Sequence, residues 1–207
     1  MEDRQAFESP LAHTDVSGAL PSWDATDAHI LDRAAELIIA RGTAALTIAE
    51  LARAAQVSRP TIYRRWSSAG DVVRAALVRR TVLLIDRFDT EITARADLVA
   101  EALRFADAFR EDAVFGALLT REPAAFTQYS LERVGTSQRV LLRWLSNAIA
   151  RAQAGGTVRT GDPGDLSVML LLIVQSAVLS HNAVSALIGE TEWRTELTHA
   201  IDGYLRP

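Results

Sequence analysis

Between residues 47 and 66 the chain places two helix starts so close together that they can only open short helices joined by a tight turn. Thr47 and Glu50 read T-x-x-E, a capping box in which the hydroxyl and the carboxylate each satisfy an amide that a helix start leaves unpaired. Ser58 caps the second start. Pro60 falls in its first turn, where a missing N–H costs nothing, and Val57 is placed to staple to Ile62. The spacing predicts one helix through Ala54, a turn at 55–57, and a second helix to about Arg65. A longer amphipathic helix precedes them, starting at Asp24 or Thr26, carrying Ile30, Ala34, Leu37 and Ile38, and stopping at Gly42. Ser68, with Asp71 three residues on, opens another helix that carries Val72, Val73, Ala76 and Leu77 toward Phe88.

The helical period continues through the remainder, and no alternating strand pattern interrupts it. Leu98, Ala102, Phe105 and Phe109 form one stripe, and a short segment follows around Val114–Leu119. Pro123 is expected to open a long helix bearing Leu131, Val134, Leu141, Leu145 and Ile149, ended by Gly155 and Gly156. Asp162, Pro163 and Asp165 mark a new start, and the last two helices cover roughly 164–188 and 192–205. The expected fold is therefore all-α with about nine helices: a disordered extension over 1–23, a three-helix helix-turn-helix domain over 24–68, and a C-terminal helical bundle over 69–207.

Charge is segregated along the chain. The whole carries a formal −4, yet residues 24–80 hold nine arginines against six acids, with acidic segments on either side. A positive head on an acidic body suits a nucleic-acid partner, because phosphate binding needs local positive charge. In a helix-turn-helix the second helix enters the major groove. Here it offers Arg59, Thr61, Tyr63, Arg64 and Arg65 as polar groups, while Ile62 and Trp66 are spaced to face the core. Arginine pairs bidentately with guanine, threonine touches a thymine methyl or a phosphate, and tyrosine bonds a phosphate.

The stretch LTIAELARAAQVSRPTIYRRWSSAGDVVRAAL, residues 46–77, resembles the DNA-binding signature of TetR-type (tetracycline-repressor-like) regulators. The threonine cap, the V-S-x-x-T-I-Y-R core and the aromatic-S-x-x-D helix start all fall in register. The resemblance implies that Thr47 meets phosphate and that Arg59, Pro60 and Thr61 meet base edges, with Ser58 as the cap that sets them. Tyr63, Arg64 and Arg65 would lie along phosphates or adjacent bases. One departure stands out: the family usually has a phosphate-contacting lysine after the serine of the fourth helix, and this chain has Ala69, followed by Gly70.

In the body, Phe105, Phe109, Phe115, Phe126, Trp144, Asn147 and Gln175 are candidates to line an apolar pocket for a small effector. The last two helices are apolar over more than one face, which pairing with a second copy explains. Leu171, Val174, Val178 and Trp193 are the expected interface of a homodimer. His13, His29, His181 and His199 lack helical metal spacing, so neither metal nor cofactor is expected. The absence of cysteine suits a reducing cytoplasm, and residues 1–23 show no basic segment followed by an apolar run. The window 166–179 falls short of a membrane span, and no membrane partner is expected.

The expected function is a non-enzymatic, sequence-specific regulator of transcription, a repressor released from a double-stranded, palindromic DNA operator by an effector. The alternatives are an activator with the same fold and, in a different class, a helical adaptor protein without DNA binding. A helical enzyme would need a nucleophile, a histidine cluster or a glycine-rich phosphate loop, none of which the sequence supplies.

Overall fold

A computed structural model describes residues 21–88, 91–124, 126–127 and 135–207. The described residues form nine α-helices and no strand: α1 Ala25–Arg41, α2 Ile48–Ala54, α3 Arg59–Tyr63, α4 Ala69–Ile85, α5 Arg95–Glu111, α6 Ala113–Arg121, α7 Thr136–Ala154, α8 Pro163–Val184 and α9 Glu190–Leu205. The first twenty residues of the expected extension, with His13, Leu131 and Val134, lie outside the described residues. Trp23, placed in that extension by sequence, instead packs on the core with the Arg79 guanidinium 5.8 Å above its ring.

Most helix starts follow the capping residues. Asp24, Ser58, Ser68 and Asp162 each accept an amide from three residues on, and Pro163 occupies the first turn of α8. Thr47 accepts the Glu50 amide at 3.2 Å, but the box does not close. The Glu50 carboxylate goes to Arg41 at the end of α1, where an ion pair outcompetes a bond to an exposed amide. The helix carrying Leu141, Leu145 and Ile149 starts at Thr136, not at Pro123, because Gly135 stands extended before it and Gln138 caps the Gly135 amide at 2.9 Å.

The turn between α2 and α3 is a Schellman closure. Val57 N–H donates to Ala52 O at 3.0 Å and Gln56 N–H to Arg53 O at 3.3 Å, which puts Gln56 in the left-handed region at φ 55°. Five residues cannot hold a helix alone, so α3 depends on packing. Its anchor is Ile62, fully buried, a burial that contributes about 2 kcal/mol.

One core runs through the molecule. In it α4 packs on α1 at one end and on α7 at the other, α7 lies along α8, and α9 covers α5. At the C-terminus of α1, Glu122 accepts the Thr43 amide at 2.7 Å and the Thr43 hydroxyl, while Arg121 donates to Ile39 O at 2.5 Å. The carbonyl and amide groups that end α1 are thereby satisfied from the end of α6.

Candidate nucleic-acid interface

The outward side of α2 and α3 carries every residue the sequence proposes for contact with DNA except one. Thr47, Ser58, Arg59, Pro60, Tyr63 and Arg64 are exposed, Tyr63 by 55%, and Thr61 is half-buried. Ser58 Oγ accepts the Thr61 amide at 3.2 Å and lies 2.8 Å from the Thr61 hydroxyl, which fixes the first turn of α3.

Arg65 is the exception. Its Nε donates to Asp27, its Nη2 lies 3.4 Å from Asp24, and its Nη1 is 3.4 Å from Thr61 O, so the guanidinium is turned back onto the start of α1. The Asp27 hydrogen bond, followed by the charges of Asp27 and Asp24, holds it more firmly protonated than usual. The Asp27 amide, helped by Arg65, keeps the Asp24 carboxyl below the ordinary carboxylate range. This side chain locks the end of α3 to α1 instead of reaching outward, because two aspartates compete for it.

The remaining arginines of the positive segment divide into two sets. Arg33, Arg41, Arg74, Arg79 and Arg80 are paired with Glu36, Glu50, Asp71, Asp32 and Asp112. Arg53, Arg59 and Arg64 are exposed, and among the described residues no carboxylate lies within pairing distance of any of them. An uncompensated guanidinium on a solvent face is what a phosphate or a guanine edge requires. Arg53, on α2, is a candidate that the sequence pattern does not single out, since the contacts it implies come from the two helix caps and the second helix. At the start of α4, Ser68 and then Arg74 hold Asp71 low in pKa, so Arg74 is already engaged beside the lysine position that Ala69 occupies.

In the body, a cavity of about 90 Å³ is lined by Phe105, Phe109, Phe115, Phe126, Trp144 and Gln175. Asn147, expected with them, is exposed on α7, off the stripe formed by Ser137, Leu141 and Trp144. Leu171, Val174 and Val178, expected at an interface, line the cavity wall. Trp193 is also turned inward: it is buried with His181 edge-on at 4.7 Å and Arg110 over its ring at 5.2 Å. The outward face of α8 is Met169, Leu172, Ser176 and Ser180, with Met169 and Leu172 each 46% exposed. This helix is long and apolar enough to cross a membrane, with a mean hydropathy of 1.6 and 28% burial in its most apolar window. Among the described residues no cluster of three or more histidine, aspartate or glutamate side chains could hold a metal.

Residues 30–76, which span the helices of this face, match the model of bacterial regulatory proteins of the tetR family. An uncharacterized HTH-type transcriptional regulator of Mycobacterium bovis is 37% identical over 180 residues, covering 87% of this chain and 94% of the relative. Among solved structures, SmeT, the repressor of the Stenotrophomonas maltophilia multidrug efflux pump SmeDEF, is similar with a TM-score of 0.60. It is 20% identical, with 89% of this chain and 92% of SmeT covered. FadR from Bacillus subtilis, in complex with stearoyl-CoA, is similar at TM-score 0.62 and 17% identity, covering 86% of this chain and 99% of FadR. The two solved structures share the all-α fold, and the match to the mycobacterial relative runs through both head and body: the chain belongs to the TetR family and is a DNA-binding, helix-turn-helix regulator of transcription.

Proposed function

We propose that the protein is a dimeric repressor that binds a near-palindromic operator and is released from it by a small molecule held in the body cavity. The observation that carries the DNA half is the set of exposed guanidiniums without a carboxylate partner among the described residues, Arg53, Arg59 and Arg64, with Arg59, Arg64 and exposed Tyr63 forming the outward face of α3. Two such faces, related by a two-fold axis, would sit in successive major grooves about 34–36 Å apart. The sign is supported by SmeT, a repressor, and the effector by FadR, which holds stearoyl-CoA. The protein would act in the cytoplasm, where its DNA is.

Pairing through α8 and α9 supplies the second copy. The half-exposed Met169 and Leu172 continue an apolar helix that would otherwise remain largely uncovered, whereas its inner face is already occupied by the cavity wall. A membrane accounts for this face less well, since Ser167, Gln175, Ser176, Ser180 and His181 interrupt the helix.

The test is a mobility shift on the region upstream of the protein's own operon, with Arg59→Ala/Arg64→Ala as the variant. Removing one phosphate partner lowers the salt slope by about 0.9, so loss of Arg64 from both subunits should flatten the slope by roughly 2, while loss of Arg59 from a base edge should weaken sequence-specific affinity. A folded double variant with unchanged sequence-specific affinity and slope would sink the assignment.

A further inference from the structure

Helix α6 is anchored differently at its two ends. At its start Asp112, with a side chain 1% exposed, accepts the Val114 amide at 2.9 Å and the Phe115 amide at 3.2 Å, and its other oxygen takes the Arg80 guanidinium from α4. A buried carboxylate that lost its arginine would be left uncompensated, which keeps this pin closed. One turn on, Gly116 lies so near the end of α5 that a Cβ there would stand 2.9 Å from Arg110 O. The start of α6 is therefore fixed to α4 and pressed against α5, with no room to move closer. The far end is held by bonds that water can reach. Half-buried Glu122 accepts the Thr43 amide at 2.7 Å and the Thr43 hydroxyl, and exposed Arg121 donates to Ile39 O, all at the end of α1.

Phe115 lies between the two ends. It is 2% exposed, lines the body cavity and stacks on Phe109 of α5 at 4.1 Å. At ~1.5 Å per residue it stands about 4.5 Å from Asp112 along the helix, whereas Glu122 stands about 15 Å away. A rigid swing about Asp112 multiplies a displacement at Phe115 roughly threefold, so that about 0.5 Å at the third residue becomes about 1.5 Å at Glu122. A hydrogen bond of 2.7 Å stretched that far is broken.

We infer that α6 is a lever with Asp112 as its fulcrum, by which whatever enlarges the cavity at Phe115 opens the joint between Glu122 and the end of α1. This route from cavity to head is separate from α4, which lines the same cavity with Leu77 and Thr81 and runs directly into the head. As a path for release from DNA it rests on the effector reading above; as a mechanical coupling it does not.

The experiment uses the full chain without DNA and supplies the enlargement by mutation. Hydrogen exchange read by mass spectrometry should show residues 39–44 exchanging about 5- to 150-fold faster in Phe115→Trp, the span of typical couplings between sites, with α9 unchanged. Phe115→Tyr, which adds a single oxygen, covers the case in which the tryptophan variant does not fold and should accelerate the same segment by less. In a Glu122→Ala background the joint is already open, so Phe115→Trp should add less than about twofold there. Equal acceleration in both backgrounds, as direct transmission through α4 would give, would overturn the inference. So would acceleration spread evenly over α1, α4 and α9, or no change at 39–44 in either folded variant. Faster exchange at 39–44 with operator affinity unchanged in a mobility shift would sink the effector reading alone and leave the lever standing.

Discussion

Replacing Gly42 with alanine tests the joint between α1 and α6 more sharply than any deletion of a side chain. Gly42 has φ 84° and ψ 174°, a region that only glycine occupies comfortably, so any side chain there costs about 1–3 kcal/mol. A Cβ built on it also overlaps Glu122 Oε1. The carboxylate must move, and with it go the bonds from the Thr43 amide and hydroxyl, of which a charge-assisted one is worth about 1.5–3 kcal/mol. Gly42→Ala should therefore destabilise by about 3–5 kcal/mol, and Glu122→Ala alone by about 1.5–3. In the Glu122→Ala background the glycine substitution should cost only its backbone strain, leaving a coupling of about 1.5–3 kcal/mol in the double-mutant cycle. Urea unfolding followed by circular dichroism at one protein concentration reads these values, with unchanged m confirming that only stability moved. A cost for Gly42→Ala below about 1 kcal/mol, or the same cost in both backgrounds, would refute the reasoning.

Two further predictions concern charge. Arg110 first, and then His181, hold the Glu190 carboxyl below its ordinary value of 4.5, joining the start of α9 to α5 and α8. A depressed carboxylate contributes stability above its unfolded pKa and loses it as pH falls through the lower folded value. Wild type should thus lose stability more steeply below pH 4.5 than Glu190→Gln, and parallel acid-unfolding curves would contradict this. Restoring the family's usual lysine with Ala69→Lys should steepen the salt dependence of operator binding by about 1.8 per dimer, one phosphate per subunit. An unchanged slope in a mobility-shift series would show that Arg64 or another group already neutralises that phosphate.

The head is legible in sequence because its signals are local. Ser58 and Ser68 act on amides three residues away, Pro60 fits the first turn beside its cap, and the buried Ile62 follows from the same short pattern. Arg65 escapes this reasoning, since its fate is decided by Asp24 and Asp27, some forty residues earlier in the chain. The faces of α8 are illegible for another reason. A helix apolar all round has no polar stripe to orient it, so the pattern that sends Leu171, Val174 and Val178 outward serves equally for the inward orientation they adopt. Asn147 fails by phase: three residues beyond Trp144 on α7, it rotates off the cavity stripe to solvent. The aromatic residues gather as expected because bulky apolar side chains have few alternatives to burial.

Helix α1 is held at its two ends by different parts of the molecule: Arg65 grips Asp27 at the start, and Glu122 with Arg121 closes the finish. Its 17 residues make a stiff rod of about 25 Å. A tilt of about 5° imposed at the α6 end would swing the far end by roughly 2 Å, the scale of the helix displacements that switch other proteins. The tether that removes Arg65 from the reading face thus gives the rod a rigid hand. Mechanical advantage, and not one more contact with DNA, is what that arginine would supply.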